Sequence, residues 1–314
     1  MISLRYHVIS IAAVFLALAV GVVLGSTTLS RTLLSGLSAE NGDLGSQVST
    51  LEQQRNALNA RLGDAESYAT ATGPSVVRGA LDERTVAIVT TADASPVDRD
   101  ALKGLVAASG ATVTAELRLT EAFTDQARAD ELREVVTRLL PTGVQLPTVS
   151  DPGTLAGGLL GPLLLISKTD NQPQVSDAES AAALTGLTEG GFVEAQPDLR
   201  PAQLAIVLTG GEATGDAAGD RAATVARFAA QVDRSGAGAV LAGTTEGSAD
   251  GAGPVGVVRA DTAATSILST VDNVDTPAGR VVAVLALGEQ LADKAGRYGI
   301  AGNAQAAAPG APTE

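Results

Sequence analysis

The run Val8 to Leu24, VISIAAVFLALAVGVVL, holds seventeen consecutive residues without a charge. As a helix it spans about 25 Å at 1.5 Å per residue, a little less than the roughly 30 Å of a bilayer's hydrocarbon core. Apolar neighbours such as Ile2, Leu4 and Leu29 extend it at the edges. Arg5 and the terminal amine precede the run, and the next base is Arg31. The positive-inside rule therefore keeps the N-terminus cytoplasmic and sends everything after residue 25 outside. A cleaved signal peptide is the competing reading, since Ala17-Leu18-Ala19 fits a small-x-small cleavage site. Cleavage there leaves Val20 to Leu24 stranded on the mature end, which favours an uncleaved anchor over residues 1–28.

Small residues recur at every fourth position of this run: Ala13, Ala17, Gly21 and Gly25. They share one helical face, and Gly21-Val-Val-Leu-Gly25 has the G-x-x-x-G spacing that lets two membrane helices approach closely. The plain alternative is that Ala and Gly are simply abundant in this chain.

Over residues 29–72 the apolar pattern becomes a heptad. Leu37, Leu44, Leu51, Leu58 and Ala65 fill d, while Leu34, Asn41, Val48, Arg55, Leu62 and Ala69 fill a. The spacing predicts a coiled coil with Leu34, Leu37, Leu44, Val48, Leu51, Leu58 and Leu62 in its core. Asn41 at an a position suits a parallel pair. Gly36, Gly42, Gly45 and Gly63 each weaken the helix by about 1 kcal/mol relative to Ala, so the firm part is Ser46 to Thr70, roughly 37 Å long. A single amphipathic helix packed on its own domain is the alternative. Anchor and heptads together favour a homo-oligomer.

Gly73-Pro74 ends the helix, and an α/β domain is expected over 80–300. Short apolar runs (Thr85 to Thr91, Ala111 to Leu119, Gln203 to Thr209, Gly238 to Ala242 and Val255 to Arg259) read as strands. They alternate with helices at Val97 to Ala108, Gln126 to Leu140, Asp177 to Leu187, Asp220 to Val232 and within 276–297. Such alternation indicates a mostly parallel, doubly wound sheet covered on both faces. Leu155 to Ile166, LAGGLLGPLLLI, is too short to span a bilayer and reads as a buried helical hairpin or a cover on the head, with a membrane-inserting loop as the sharper alternative. Residues 301–314 are too poor in large apolar groups to fold alone and are expected as a disordered tail.

Composition then narrows the chemistry. There is no Cys and no Trp, one Met and one His, so the soft and imidazole ligands amount to Met1 and His7. That excludes disulfide frameworks, zinc and iron–sulfur sites and thiol nucleophiles within one chain. The net charge is −14, and no acid precedes Glu40. An acidic body repels phosphate backbones, which argues against nucleic acid as a partner. Ligands in open α/β sheets bind at the carboxyl ends of strands, where Asp93, Glu246, Asp261, Asp272 and Asp275 form a candidate acidic site for a hard cation. No calcium-loop spacing supports it, and ordinary caps and loop solvation explain the same acids. The Gly210-Gly211 turn lacks the ending of a phosphate loop. With no G-x-S-x-G and no catalytic Cys or His, the head is expected to be a binding or scaffold domain and not an enzyme, with no tightly bound cofactor.

The start Ile2-Ser3-Leu4-Arg5-Tyr6-His7, running into Ala12 to Gly21 and Leu24-Gly25-Ser26, resembles the actinobacterial MctB family, as do Ser269 to Asp275 and Gly296-Arg297-Tyr298-Gly299. The resemblance covers the whole chain. It implies copper efflux or homeostasis, with copper as a transported ion, through an oligomeric pore of the outer membrane. Related corynebacterial proteins imply instead a membrane-anchored regulator of peptidoglycan remodelling and division, acting with an envelope partner. The residues favour an inner-membrane anchor with an extracytoplasmic head. They also require that any copper path be oxygen-lined or nonselective, because copper(I) prefers sulfur and copper(II) imidazole.

Overall fold

The computed structural model describes residues 4–211, 215–248 and 252–311, and leaves aside the side chains of 26–39 and 248. The chain divides into two units, Met1–Ala65 and Glu66–Glu314. The first is helical throughout its described length, within α1 (Leu4–Val76). Its stretch Leu4–Gly25 is long and apolar enough to cross a membrane, and none of it is buried. Leu44, Val48, Leu51, Leu58 and Leu62 are exposed by between 52% and 63%. Leu34 and Leu37, expected in the same core, lie outside the described side chains.

The second unit alternates strands and helices. After α1 come β1 (Thr85–Thr90), α2 (Pro96–Ala108), β2 (Thr112–Leu119), α3 (Glu121–Thr124), α4 (Ala129–Arg138), α5 (Pro152–Leu164), α6 (Asp177–Glu189) and β3 (Val193–Ala195). Then follow β4 (Leu204–Leu208), α7 (Ala218–Asp233), β5 (Ala239–Ala242), α8 (Thr245–Ser248), α9 (Pro254–Ala260), α10 (Thr262–Thr265), β6 (Ser269–Val271), α11 (Pro277–Gln290) and β7 (Arg297–Tyr298). The strands form one sheet in the order β3-β2-β1-β4-β5-β6-β7. Only β3 is antiparallel to its neighbour, β2.

Strands covered on both faces read as unbroken apolar runs, and β4 (LAIVL) and β5 (AVLA) are buried at every position. Their side chains alternate between two cores. Ala87, Val89, Ala205 and Val207 meet α4, α5, α6, α7 and α9 on one face, including Leu132, Leu159, Leu187, Phe228 and Val258. Val86, Ile88, Leu204 and Ile206 meet α2 and α11 on the other, including Leu102, Val106, Val284 and Leu287. Phe123 and Phe228 meet edge to face, ring centroids 5.4 Å apart.

Leu155 to Ile166 is buried and helical as expected, but it is neither a hairpin nor a membrane-inserting loop. It is mostly α5, whose residues from Ala156 to Leu164 are all buried. Gly153, Gly157 and Gly161 face α7: a Cβ on Gly157 would lie 2.7 Å from Gln231 Cβ and 2.9 Å from the Phe228 carbonyl oxygen. A Cβ on Gly153 would collide with the Thr224 carbonyl oxygen, and one on Gly161 with Ser235 Oγ. The glycines let two helices touch backbone to backbone, which places α5 inside the head from Ala156 to Leu164.

Two further expectations are corrected. Val255 to Arg259 is helix α9 and not a strand; Pro254 fills its first position, where a missing N–H costs nothing, and Gly253 is its N-cap. The helix expected within 276–297 is α11, which ends at Gln290; beyond it Arg297–Tyr298 joins the sheet. Residues 301–311, expected as part of a disordered tail, run back along β7: Ala306 bridges Tyr298, and the Gly299 N–H donates to the Ala306 carbonyl. Ala306 and Ala308 pack against the second core, so small residues suffice where the sheet edge supplies the hydrogen bonds.

Candidate functional site

The sheet reverses its direction of winding at β1. The chain steps from β1 outward to β2 on one side, and β4 enters on the other. Such a switch point opens a crevice beyond the carboxyl ends of the two strands. Here it encloses about 680 Å³, within the usual range for small-molecule sites. Thr91 and Asp93 come from the end of β1, Thr120, Glu121 and Asp125 from the end of β2, and Thr209 from the end of β4. Arg221 and Val225 of α7, with Leu119 and Pro254, complete the walls.

Glycine contacts hold the base of the crevice. A Cβ on Gly210 would collide with the Asp93 carbonyl oxygen, and one on Gly247 would sit 2.8 Å from the Gly210 carbonyl oxygen. The Gly210-Gly211 turn thus serves close backbone approach. The Thr91 hydroxyl donates to Asp93 Oδ1, and the Ala127 N–H donates to Asp125 Oδ1 at 2.9 Å. A larger recess of about 980 Å³ lies between α6 and the segment 196–201, away from these strand ends.

Of the five acids expected together, only Asp93 lines the crevice. Asp261 caps α10, accepting from the Ala263 N–H at 2.8 Å and the Ala264 N–H at 3.3 Å. Asp275 Oδ1 accepts from the Thr245 N–H at 2.8 Å, pinning the start of α8, and Glu246 lies exposed within that helix. Asp272 is wholly buried and pairs with Arg259 at 2.7 Å. It also accepts from the N–H groups of Ile300 at 2.7 Å and Ala301 at 3.2 Å. Arg259 donates as well to Thr270 Oγ1, Tyr298 O and Asn303 Oδ1. Burial pulls this guanidinium below its ordinary value, against the hydrogen bond to Asp272. No group of three His, Cys, Asp or Glu side chains placed to hold a metal occurs among the described residues. Four of the five acids therefore leave the site, because each is separated from Asp93 by a local task or by its own helix.

Glu121, Asp125, Thr120 and Arg221 were missed. The signal was available: β2 was placed correctly to Leu119, and Thr120 to Asp125 (TEAFTD) follow its carboxyl end directly. A second buried acid lies elsewhere. Asp233 ends α7 and accepts the Ala239 N–H at 2.6 Å, and burial pushes its carboxyl up to about 7.

A family model described as the copper transport outer membrane protein, MctB, matches residues 1–309. The copper transporter MctB of Mycobacterium tuberculosis (strain ATCC 25618 / H37Rv) is 42% identical over 304 residues, covering 95% of this chain and 96% of that protein. The copper transporter MctB of Mycobacterium leprae (strain TN) is 42% identical over 308 residues, 96% of each. The chain belongs to the MctB family. Its MctB match takes in both the apolar helix and the α/β unit, so both are family features, and the helix and the family description together give a membrane or envelope protein. The MctB relatives are named as transporters and not as enzymes.

Proposed function

We propose that this chain lowers the copper load of its cell as an envelope protein, working as an oligomer held in a membrane by Leu4–Gly25. The observation that carries the reading is the 42% identity over nearly the full length of proteins named copper transporters. In this reading α1 pairs with α1 of a second copy through the heptad residues Leu44, Val48, Leu51, Leu58 and Leu62, whose exposure in the single chain supports a coiled coil. The same-face residues Ala13, Ala17, Gly21 and Gly25 favour contact between the anchors. A lone apolar helix cannot enclose a channel, since lipid leaves its backbone no partners outside itself; oligomerisation is therefore the condition for any pore. With Met1 and His7 as the nearest to soft ligands, the copper path is oxygen-lined or nonselective. Arg5 and the terminal amine before the apolar run favour an inner-membrane anchor with the head extracytoplasmic.

Deleting the gene should make cells copper-sensitive, and the wild-type gene should restore resistance and low cell copper. The deciding arm replaces Val8 to Leu24 with an unrelated inner-membrane anchor. Lost resistance supports a conduction path built by this helix, and full resistance excludes one.

A further inference from the structure

The switch-point crevice contains something the copper reading does not use. Thr209 is 4% exposed and lines the cavity, yet its hydroxyl has no hydrogen-bond partner among the described residues. The hydroxyl is not sealed from the cavity, so a group bound there can complete it. Beside it Asp93 has one carboxylate oxygen occupied by Thr91, and Glu121, exposed on α3, makes no ion pair among the described residues. The described lining holds three carboxylates, one guanidinium and several threonine hydroxyls, which favours a donor-rich cation and opposes a phosphate. Aromatic side chains are absent from the described lining, so nothing offers a stacking face to a base or a sugar ring. A metal ion is also poorly served, since no trio of ligating side chains converges here among the described residues. An ammonium group carries three donors on one centre and suits an oxygen-lined pocket of this kind.

We propose that the crevice between the ends of β1, β2 and β4 binds a small polar molecule bearing a protonated amine, held by Asp93, Glu121 and Thr209. The full-length protein in detergent, methyl-labelled at Leu and Val, is titrated with ethanolamine, glucosamine, N-acetylglucosamine and inorganic phosphate. The readout is independent of copper resistance. Ethanolamine and glucosamine should shift the methyl signals of Leu119 and Val225 saturably at concentrations on the order of 10 mM, and N-acetylglucosamine and phosphate should not. Thr209→Val, which keeps the side-chain shape, and Glu121→Gln, on an exposed turn, should each weaken binding about tenfold while the remaining methyl spectrum stays in place. Absence of a saturable shift, equal binding of the acetylated sugar or of phosphate, or unchanged affinity in both variants would overturn the proposal.

Discussion

Two helices in this chain carry small residues at every fourth position, and they end in opposite circumstances. In α5, Gly153, Gly157 and Gly161 lie against the backbone and side chains of α7. In the apolar part of α1, Ala13 and Ala17 are exposed, and a Cβ on Gly21 would meet nothing within 4 Å. The spacing is the same, so spacing alone does not tell whether a helix finds its partner inside the chain. What separates them is the supply of neighbours. α5 belongs to a unit with two layers of helix over a sheet, whereas the unit up to Ala65 holds no second element among its described residues. The contrast extends to leucines: Leu159, Leu160 and Leu163 are fully buried, and Leu51 and Leu58 are more than 60% exposed.

The contrast is sharpest at the glycines. Gly157→Leu should cost the head about 5 kcal/mol, because four added heavy atoms would be driven into the α7 backbone with no room to relax. Calorimetry of the full chain should show the cooperative transition lost or moved far down. A wild-type transition in this variant would mean that α5 and α7 are not in contact.

Asp233 tests the same interior by pH. Its carboxyl, lifted to about 7, is protonated in both folded and unfolded chains below the ordinary value of 3.8. Between those values the unfolded chain releases the proton and the folded chain keeps it, so stability falls as pH rises, by up to about 4 kcal/mol at pH 7. Asp233→Asn keeps an oxygen for the Ala239 N–H and should remove that decline. Urea unfolding at pH 4 and pH 8 measures it, and parallel profiles for the two proteins would show Asp233 to be hydrated.

The smallest effect on the head belongs to the anchor. Gly21→Leu should leave its unfolding temperature unchanged while weakening association of the full chain in detergent about tenfold by sedimentation. Movement of the head's transition in this variant would erase the distinction between the helices.

The central strands were legible because burial on both faces writes itself as runs such as Val86-Ala87-Ile88-Val89 and Leu204 to Leu208. Val255 to Arg259 has the same apolar look, and only Pro254 at its start distinguishes it as a helix. Residues 301–311 were illegible for the opposite reason: what orders them is main-chain bonding to β7 and the acceptor oxygens of Asp272, which leaves no apolar signature. For the site, strand ends located the crevice and Asp93. The other four acids stay open in the sequence between a shared site and ordinary caps, because a capping carboxylate, a buried ion pair and a free acid look identical there.

The Arg259 and Asp272 clamp ties the head to the last stretch of its chain. Its partners Tyr298, Ile300, Ala301 and Asn303 all follow both members of the pair in the chain. Without them, a guanidinium and a carboxylate destined for burial lack most of their hydrogen bonds, and β6 has an open edge. A chain cut before Tyr298 would therefore keep the ion pair and lose the groups that complete it.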